Sequence, residues 1–228
     1  TGILRHGGTI LGTTNSGDPF AYATDQAGEQ QDYSARCIER FHELKLGALV
    51  AIGGDGTLAI AYEFFKRGMP LVGVPKTIDN DIVGTNSTFG FDSAVSFATE
   101  AIDRLHVTAE AHHRVMVVEV MGRHAGWIAL HAGVAGGADA ILMPEIPYEL
   151  SRVAENIAAR ERFGARFSIV VVAEGAAPKG GDISVVAPAM AGRLVRLGGL
   201  GAQVAASLEE LTGKETRDEN RIYPSTSF

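Results

Sequence analysis

Five short apolar runs, rich in β-branched residues and each closed by a glycine or proline, constrain this chain more than any other feature. They fall at 47–53, 70–75, 114–120, 138–143 and 167–173. Runs of this length, bounded by turn residues, read as strands buried on both faces. Before and between them lie segments with helical spacing, at about 29–45, 57–67, 90–110, 126–135 and 151–163. In the first the spaced residues are Ala35, Ile38, Phe41 and Leu44; in the third they are Phe91, Ala94, Val95, Ala98, Ile102 and Leu105. Alternation of strand and helix predicts an α/β fold with parallel sheets and helices on both faces. Two similar lobes are expected, divided near residue 90. Residues 1–28 read as loop with a turn or short strand at Thr9-Ile10-Leu11, 176–190 as a surface loop, and 189–211 as a helix broken at Gly192 and Gly198-Gly199.

In open parallel sheets, ligands bind outside the carboxyl ends of the strands. The unusual polar residues of this sequence follow strands: Asp55, Asp79 with Asp81, Arg123, Glu145 and Glu174. The loop Gly53-Gly54-Asp55-Gly56-Thr57 offers small residues and backbone N–H groups to a phosphate chain. A tight turn with Asp55 or Thr57 capping the next helix is the plainer reading of the same residues. The loop Pro75-Lys76-Thr77-Ile78-Asp79-Asn80-Asp81 offers two carboxylates beside a lysine. In an extended segment, residues i and i+2 point the same way, so Asp79 and Asp81 are expected to face one ligand with Lys76 nearby. Phosphate cradle, carboxylate base and cation are the parts needed for phosphoryl transfer.

The formal net charge of −7 over 228 residues gives no bulk attraction to nucleic acid or an anionic membrane, so local Lys and Arg must hold any anionic substrate. No apolar run approaches the roughly 18 residues of a membrane span. The single cysteine, Cys37, cannot form an internal disulfide, and a reducing cytosol is the simple expectation. His112-His113 are expected at the surface rather than on a metal. His124, beside Arg123, is expected to fill the loop, with contact to a phosphate as the alternative, and Trp127 is expected in the core. The N-terminus carries neither a start methionine nor a signal peptide, which suggests a chain that begins part-way through a longer protein.

Gly53-Gly54-Asp55-Gly56-Thr57 resembles the motif of NAD kinases and diacylglycerol kinases, and so supports nucleotide binding without naming a substrate. The second loop is more specific. Pro75 to Asp81 resembles the catalytic loop of 6-phosphofructokinases, and Met121-Gly122-Arg123 resembles their sugar-binding loop. Pro144-Glu145 and Val172-Ala173-Glu174 fit in the same order, and the resemblance runs from about Gly7 to Arg217. It implies transfer of a phosphoryl group from ATP, with Mg²⁺, to the 1-hydroxyl of fructose 6-phosphate, a glycolytic step in the cytoplasm. Asp79 would accept the proton of the hydroxyl. Gly53, Gly54, Asp55, Gly56, Thr57 and Lys76 would hold the donor, with Asp55 and Asp81 serving the metal. Thr77, Ile78, Met121, Gly122, Arg123 and Glu174 would hold the sugar phosphate. Arg114 and Arg217 would reach into a neighbouring subunit's site in a dimer or tetramer, in a family that includes allosteric enzymes.

The resemblance makes 1–90 the donor lobe and 91–217 the sugar lobe, and leaves 218–228 as an unmatched tail. An N-terminal strand with a glycine-rich turn, and a segment after Arg217 that binds sugar phosphate, find no match in this sequence. The chain covers about two-thirds of a family member, and on its own is expected to be inactive. Donor choice rests on two positions. Gly56 leaves room for an α-phosphate where pyrophosphate-using members generally carry Asp. Lys76 is general in the pyrophosphate branch, although some ATP-using members keep it. ATP is the favoured donor and pyrophosphate the alternative; a non-catalytic nucleotide-binding or regulatory module is the reading from another class.

Overall fold

The computed structural model describes residues 17–23, 29–187 and 196–219, with Gly2 and Gly12. In chain order the elements are β1 (Tyr22–Ala23), β2 (Gln30–Gln31), α1 (Ser34–Glu43), β3 (Leu49–Gly53), α2 (Asp55–Lys66), β4 (Leu71–Thr77), β5 (Phe89–Gly90), α3 (Phe91–His112), β6 (Val115–Val120) and α4 (Trp127–Ala135). They continue with β7 (Ala140–Leu142), α5 (Leu150–Arg162), β8 (Ser168–Ala173), β9 (Val185–Ala187), β10 (Arg196–Leu197), α6 (Leu200–Thr212) and β11 (Thr216–Glu219). All five expected strands are present, and an α-helix lies within or close to each expected helical span before residue 164, although α1 begins only at Ser34, after Gln30–Gln31 form β2. The expected turn at Thr9-Ile10-Leu11 lies outside the described residues, as does 189–195 of the expected broken helix. Of its described part, Arg196–Leu197 form strand β10 instead of helix, and the helix proper is α6, preceded by Gly199 in a left-handed conformation (φ 73°).

The chain divides into two compact units between Pro75 and Lys76. The sequence placed its lobe boundary near residue 90. The segment in between belongs with the second unit because Ile78 packs against that unit's core, and because Lys76 and Thr77 pair with Phe89 and Gly90 of β5.

In the first unit, β3 and β4 run parallel, Leu49 opposite Leu71 through Gly53 opposite Pro75. Helix α2 presses on one face of this pair. Gly73 makes that possible, since a Cβ there would lie 2.9 Å from Leu58 Cδ2. Phe41 of α1, Phe64 of α2 and Met69 form a small core with Phe20, Ile38, Ile60 and Leu71 around it. Val50, Ile52 and Val72 are exposed.

The second unit is built on a four-stranded parallel sheet in the order β11-β6-β8-β7. Its centre is β6 beside β8, and every residue of both strands is buried. Side chains alternate along them. Met116, Val118, Val120, Ile169, Val171 and Ala173 face a core made with Ala94, Ala98 and Ile102 of α3 and Ile128, Ala129 and Ala132 of α4. Val115, Val117, Val170 and Val172 face the other core, with Val153 and Ile157 of α5 and Leu200, Val204 and Leu208 of α6. Each such valine or isoleucine contributes about 1.5–3 kcal/mol by leaving water. Burial on both faces is why these strands read as unbroken apolar runs. β11 reads differently, because its residues Thr216-Arg217-Asp218-Glu219 are polar. It is nonetheless the edge strand beside β6, and it takes up the first two residues of the segment expected as an unmatched tail.

Of the expectations about single residues, one changes and one stands. Trp127 is not core: it opens α4 with 41% of its surface exposed and its ring against His131. His113 caps α3 in the left-handed region (φ 54°), so this histidine pair ends a helix, as its place before a strand suggested. Among the described residues no helix is long and apolar enough to cross a membrane.

Candidate active site

The β4–β5 connection carries the first group of site residues in the second unit. Thr77 is the last residue of β4, and its hydroxyl donates to Asp79 Oδ2 (3.2 Å) while accepting the Asp79 N–H (3.2 Å). Lys76 and Asp81 are exposed, whereas Asp79 is half-buried. The backbone here is not extended as the i, i+2 reading assumed. Asn80 sits in the left-handed region (φ 55°), and its Oδ1 accepts the N–H of buried Thr88 (3.0 Å). Asparagine tolerates this conformation where most side chains do not. The lock at Asn80, rather than strand geometry, fixes the two carboxylates. Ile78 turns its side chain into the core, so only its backbone is left for a ligand.

Burial pushes the Asp79 carboxyl above the usual carboxylate range, and the Asp81 charge adds to this; the Thr77 hydroxyl and His124 pull the other way. His124 thus lies near Asp79, a nearness the sequence reading missed. A desolvated carboxylate with a raised pKa is a better proton acceptor than an ordinary aspartate.

The loop after β6 supplies the second group. Met121 packs against the core behind the loop. Gly122 (φ 152°) could not carry a side chain, since its Cβ would lie 2.8 Å from the Ala125 carbonyl oxygen. Gly175 clears the adjacent strand end: a Cβ there would collide with the Arg123 carbonyl oxygen. The two strand ends are tied by hydrogen bonds from Glu174 N–H to the Val120 carbonyl (3.0 Å) and from Gly175 N–H to the Gly122 carbonyl (3.1 Å). Arg123 and Glu174 are thereby brought together. Burial raises the pKa of Glu174, with a further rise from Glu119; the Gly122 N–H and Arg123 oppose them, and Asp79 adds a smaller rise. Asp79, Arg123, His124 and Glu174 therefore form one electrostatic neighbourhood at the carboxyl ends of β4, β6 and β8.

Glu145, the polar residue after β7, does not join it as a free carboxylate. Its Oε1 accepts the Gly126 N–H (2.8 Å) and occupies the N-terminus of α4. Arg114 and Arg217 lie at the opposite, amino ends of the strands, beside the first residues of β6. Arg114 Nε pairs with Glu215 Oε2 (2.8 Å), and Arg217 binds the other oxygen of the same carboxylate (2.9 Å). A strand rises about 3.3 Å per residue, so β6 holds Arg114 and Arg123 on the order of 20 Å apart.

In the first unit the glycine-rich loop ends β3 and begins α2. Gly53 is buried, and a Cβ on it would collide with the Thr57 side chain. Gly54 is the N-cap of α2 and has no side chain to cap with, so neither Asp55 nor Thr57 is the cap that the plainer reading proposed. Asp55, Gly56 and Thr57 are exposed at a helix N-terminus, whose N–H groups and dipole favour anions. A Cβ on Gly56 would meet nothing within 4 Å.

A family model described as phosphofructokinase matches residues 1–221, past the Arg217 limit of the motif-level resemblance. An ATP-dependent 6-phosphofructokinase from Chloroflexus aurantiacus is 56% identical over 216 residues, covering 95% of this chain and 59% of the relative. The chain thus spans about three-fifths of that relative's length. Among solved structures, Pichia pastoris phosphofructokinase in the T-state matches with TM-score 0.72 and 30% identity, covering 95% of this chain and 22% of the other. A pyrophosphate-dependent phosphofructokinase from Marinobacter aquaeolei matches with TM-score 0.68 and 25% identity, covering 86% of this chain and 50% of the other.

Proposed function

Because the chain belongs to the phosphofructokinase family, we propose that the protein transfers the terminal phosphoryl group of ATP to the 1-hydroxyl of fructose 6-phosphate, giving fructose 1,6-bisphosphate. One observation carries the reading: Asp79, half-buried and held by Thr77, stands in one electrostatic neighbourhood with Arg123 and Glu174, after the carboxyl ends of β4, β6 and β8. Asp79 takes the proton of the attacking hydroxyl. Thr77, the backbone of Ile78, Met121 and Gly122, and the side chains of Arg123 and Glu174 hold the sugar phosphate. The guanidinium of Arg123 suits a phosphate or carboxylate oxygen pair. Phosphoryl transfer asks little covalent chemistry of the protein, and these residues act by positioning and charge.

The loop from Gly53 to Thr57, with Lys76, holds the donor. The exposed carboxylates of Asp55 and Asp81 are hard oxygen donors of the kind Mg²⁺ takes. The bound ion would neutralise the charge of the donor phosphates. ATP is favoured over pyrophosphate by the ATP-dependent relative at 56% identity, against 25% for the pyrophosphate-dependent structure. Gly56 supports the same choice, since it leaves open space beside the loop. The position of Arg114 and Arg217 at the amino ends of the strands supports their service to a second subunit, and hence a homo-oligomer with shared sites. A cytoplasmic location goes with this reading.

The test is a coupled assay of fructose 1,6-bisphosphate formation in the protein expressed from its complete reading frame, with ATP and with pyrophosphate. Turnover with fructose 6-phosphate and ATP is expected. A kcat/KM higher with pyrophosphate would reverse the donor, and ligand binding without turnover would favour a regulatory module.

A further inference from the structure

Glu119 is a carboxylate in the middle of the sheet. It is 8% exposed, and its neighbours along β6 are Val118 and Val120, both buried. A charge is tolerated there because two backbone donors meet it: Gly201 N–H at 2.7 Å on Oε2 and Gly199 N–H at 3.1 Å on Oε1. Gly199 is the N-cap of α6, so the carboxylate sits on that helix's positive end. The fit is close, since a Cβ on Gly201 would come 3.0 Å from Glu119 Oε2 and 2.5 Å from Asp218 Oδ1.

Glu119 stands opposite Val172 in the β6–β8 register. Glu174, two residues beyond Val172, lies diagonally from it on the same face, within reach of a long side chain. Glu174 therefore meets a fixed negative charge on its own side of the sheet. Arg123 and the Gly122 N–H meet it from the loop after β6, and Asp79 from the loop after β4.

We propose that Glu119 is a positioning residue: it clamps the start of α6 to the end of β6 and, by repulsion, holds the Glu174 carboxylate toward Arg123 and the sugar, a role that rests on the sugar-phosphate reading above. An apolar residue at 119 would fill the core at lower cost, but would leave the Gly199 and Gly201 N–H groups without these acceptors and Glu174 without its opposing charge. The neighbouring charge also works on titration. It adds to the effect of burial in raising the Glu174 pKa, so removing it lowers that pKa.

The protein from the complete reading frame, labelled with [5-¹³C]glutamate, tests this. Glu174 is assigned by loss of its carboxyl signal in Glu174→Gln. In Glu119→Gln the Glu174 titration midpoint should move to lower pH, and calorimetric binding of fructose 6-phosphate should persist to correspondingly lower pH. A purely structural role would lower stability and leave the midpoint unmoved, which would overturn the proposal. If Glu119→Gln does not fold, Glu119→Asp keeps the charge but draws it back by one methylene, and the midpoint should fall by less; an unchanged midpoint again overturns it. Failure of the unaltered protein to bind fructose 6-phosphate at any pH would sink the sugar-phosphate reading, while leaving the titration result to stand.

Discussion

If Asp79 is the base proposed above, function and stability pull against each other at this residue. Its ionised form is disfavoured by burial and by Asp81, yet a base must be ionised to accept a proton. Asp79→Asn should lower kcat on the order of 10²–10⁴-fold while changing sugar affinity much less, as steady-state kinetics will show. The same change should stabilise the ligand-free protein. A carboxyl whose folded pKa is raised contributes stability that is fully present below its unfolded pKa and lost as pH rises through the folded value. Above the folded pKa that contribution is gone in the unaltered protein, so Asp79→Asn should melt higher there; below the unfolded pKa the advantage should vanish. Equal melting temperatures across the whole pH range would mean that burial does not strain this carboxylate. Asn80 gives a contrasting residue-scale case. Asn80→Ala removes the Thr88 contact and forces alanine into the left-handed region, which costs on the order of 1–3 kcal/mol. Asn80→Gly keeps the backbone and loses only the contact. Alanine should therefore depress both kcat and the melting temperature, and glycine mainly kcat.

At the scale of elements, close packing at Gly122 helps to hold the loop after β6, with the Glu145 carboxylate on the Gly126 N–H at its far end. Gly122→Ala brings a Cβ to 2.8 Å from the Ala125 carbonyl oxygen, in a conformation that L residues rarely adopt. The loop and Arg123 must move with it. Arg123→Lys keeps the charge, loses the planar fork, and should raise KM for fructose 6-phosphate more than for ATP; Gly122→Ala should do the same through displacement and lower the melting temperature as well. The elements themselves differ in how far the sequence disclosed them. β6 and β8 were legible because burial on both faces demands unbroken apolar residues, and α3 because its apolar positions face one core. β5 has two residues and leaves no pattern to read. β11 is polar, and only its pairing with β6 makes it a strand. The candidate residues were legible as polar residue types at strand ends, because ligands of parallel sheets bind outside the carboxyl ends of the strands. Its internal wiring was not. The left-handed turn at Asn80, the use of Glu145 at the N-terminus of α4 and the nearness of His124 to Asp79 all depend on contacts between segments far apart in the chain or on a local φ. Glu119 did leave a trace, as the lone acid in the apolar run Val115–Val120.

On the scale of the whole molecule, the two ends of the β6 and β8 strands carry different groups. Glu215 holds Arg114 and Arg217 together at one end, and the Asp79 neighbourhood occupies the other. If those arginines complete a second subunit's site, Arg114→Ala and Asp79→Asn chains, each nearly inactive, should regain activity when mixed, up to about a quarter of wild type on random dimeric pairing, through sites that take their base and their arginine from unaltered copies. No recovery in confirmed mixed oligomers would confine both roles to one chain. Gly56→Asp extends the question to the donor. Nothing crowds that position, so the aspartate should be tolerated by the fold while repelling an α-phosphate, and ATP turnover should collapse without a loss of melting temperature.

The strand order β11-β6-β8-β7 has a consequence for the birth of the protein. β8 is made after β7, yet its place is between β7 and β6. While the ribosome works through α4, β7 and α5, the newly made β6 has neither of its lasting neighbours, since β11 comes later still. A run of mostly valine and methionine with two open edges invites pairing with another nascent copy. Arrival of Ser168–Ala173 closes the slot between β6 and β7, and β11 then covers the remaining edge. Ribosome stalling or premature release before residue 168 would therefore yield an aggregation-prone product, and slowing translation through that interval should lower the yield of native protein.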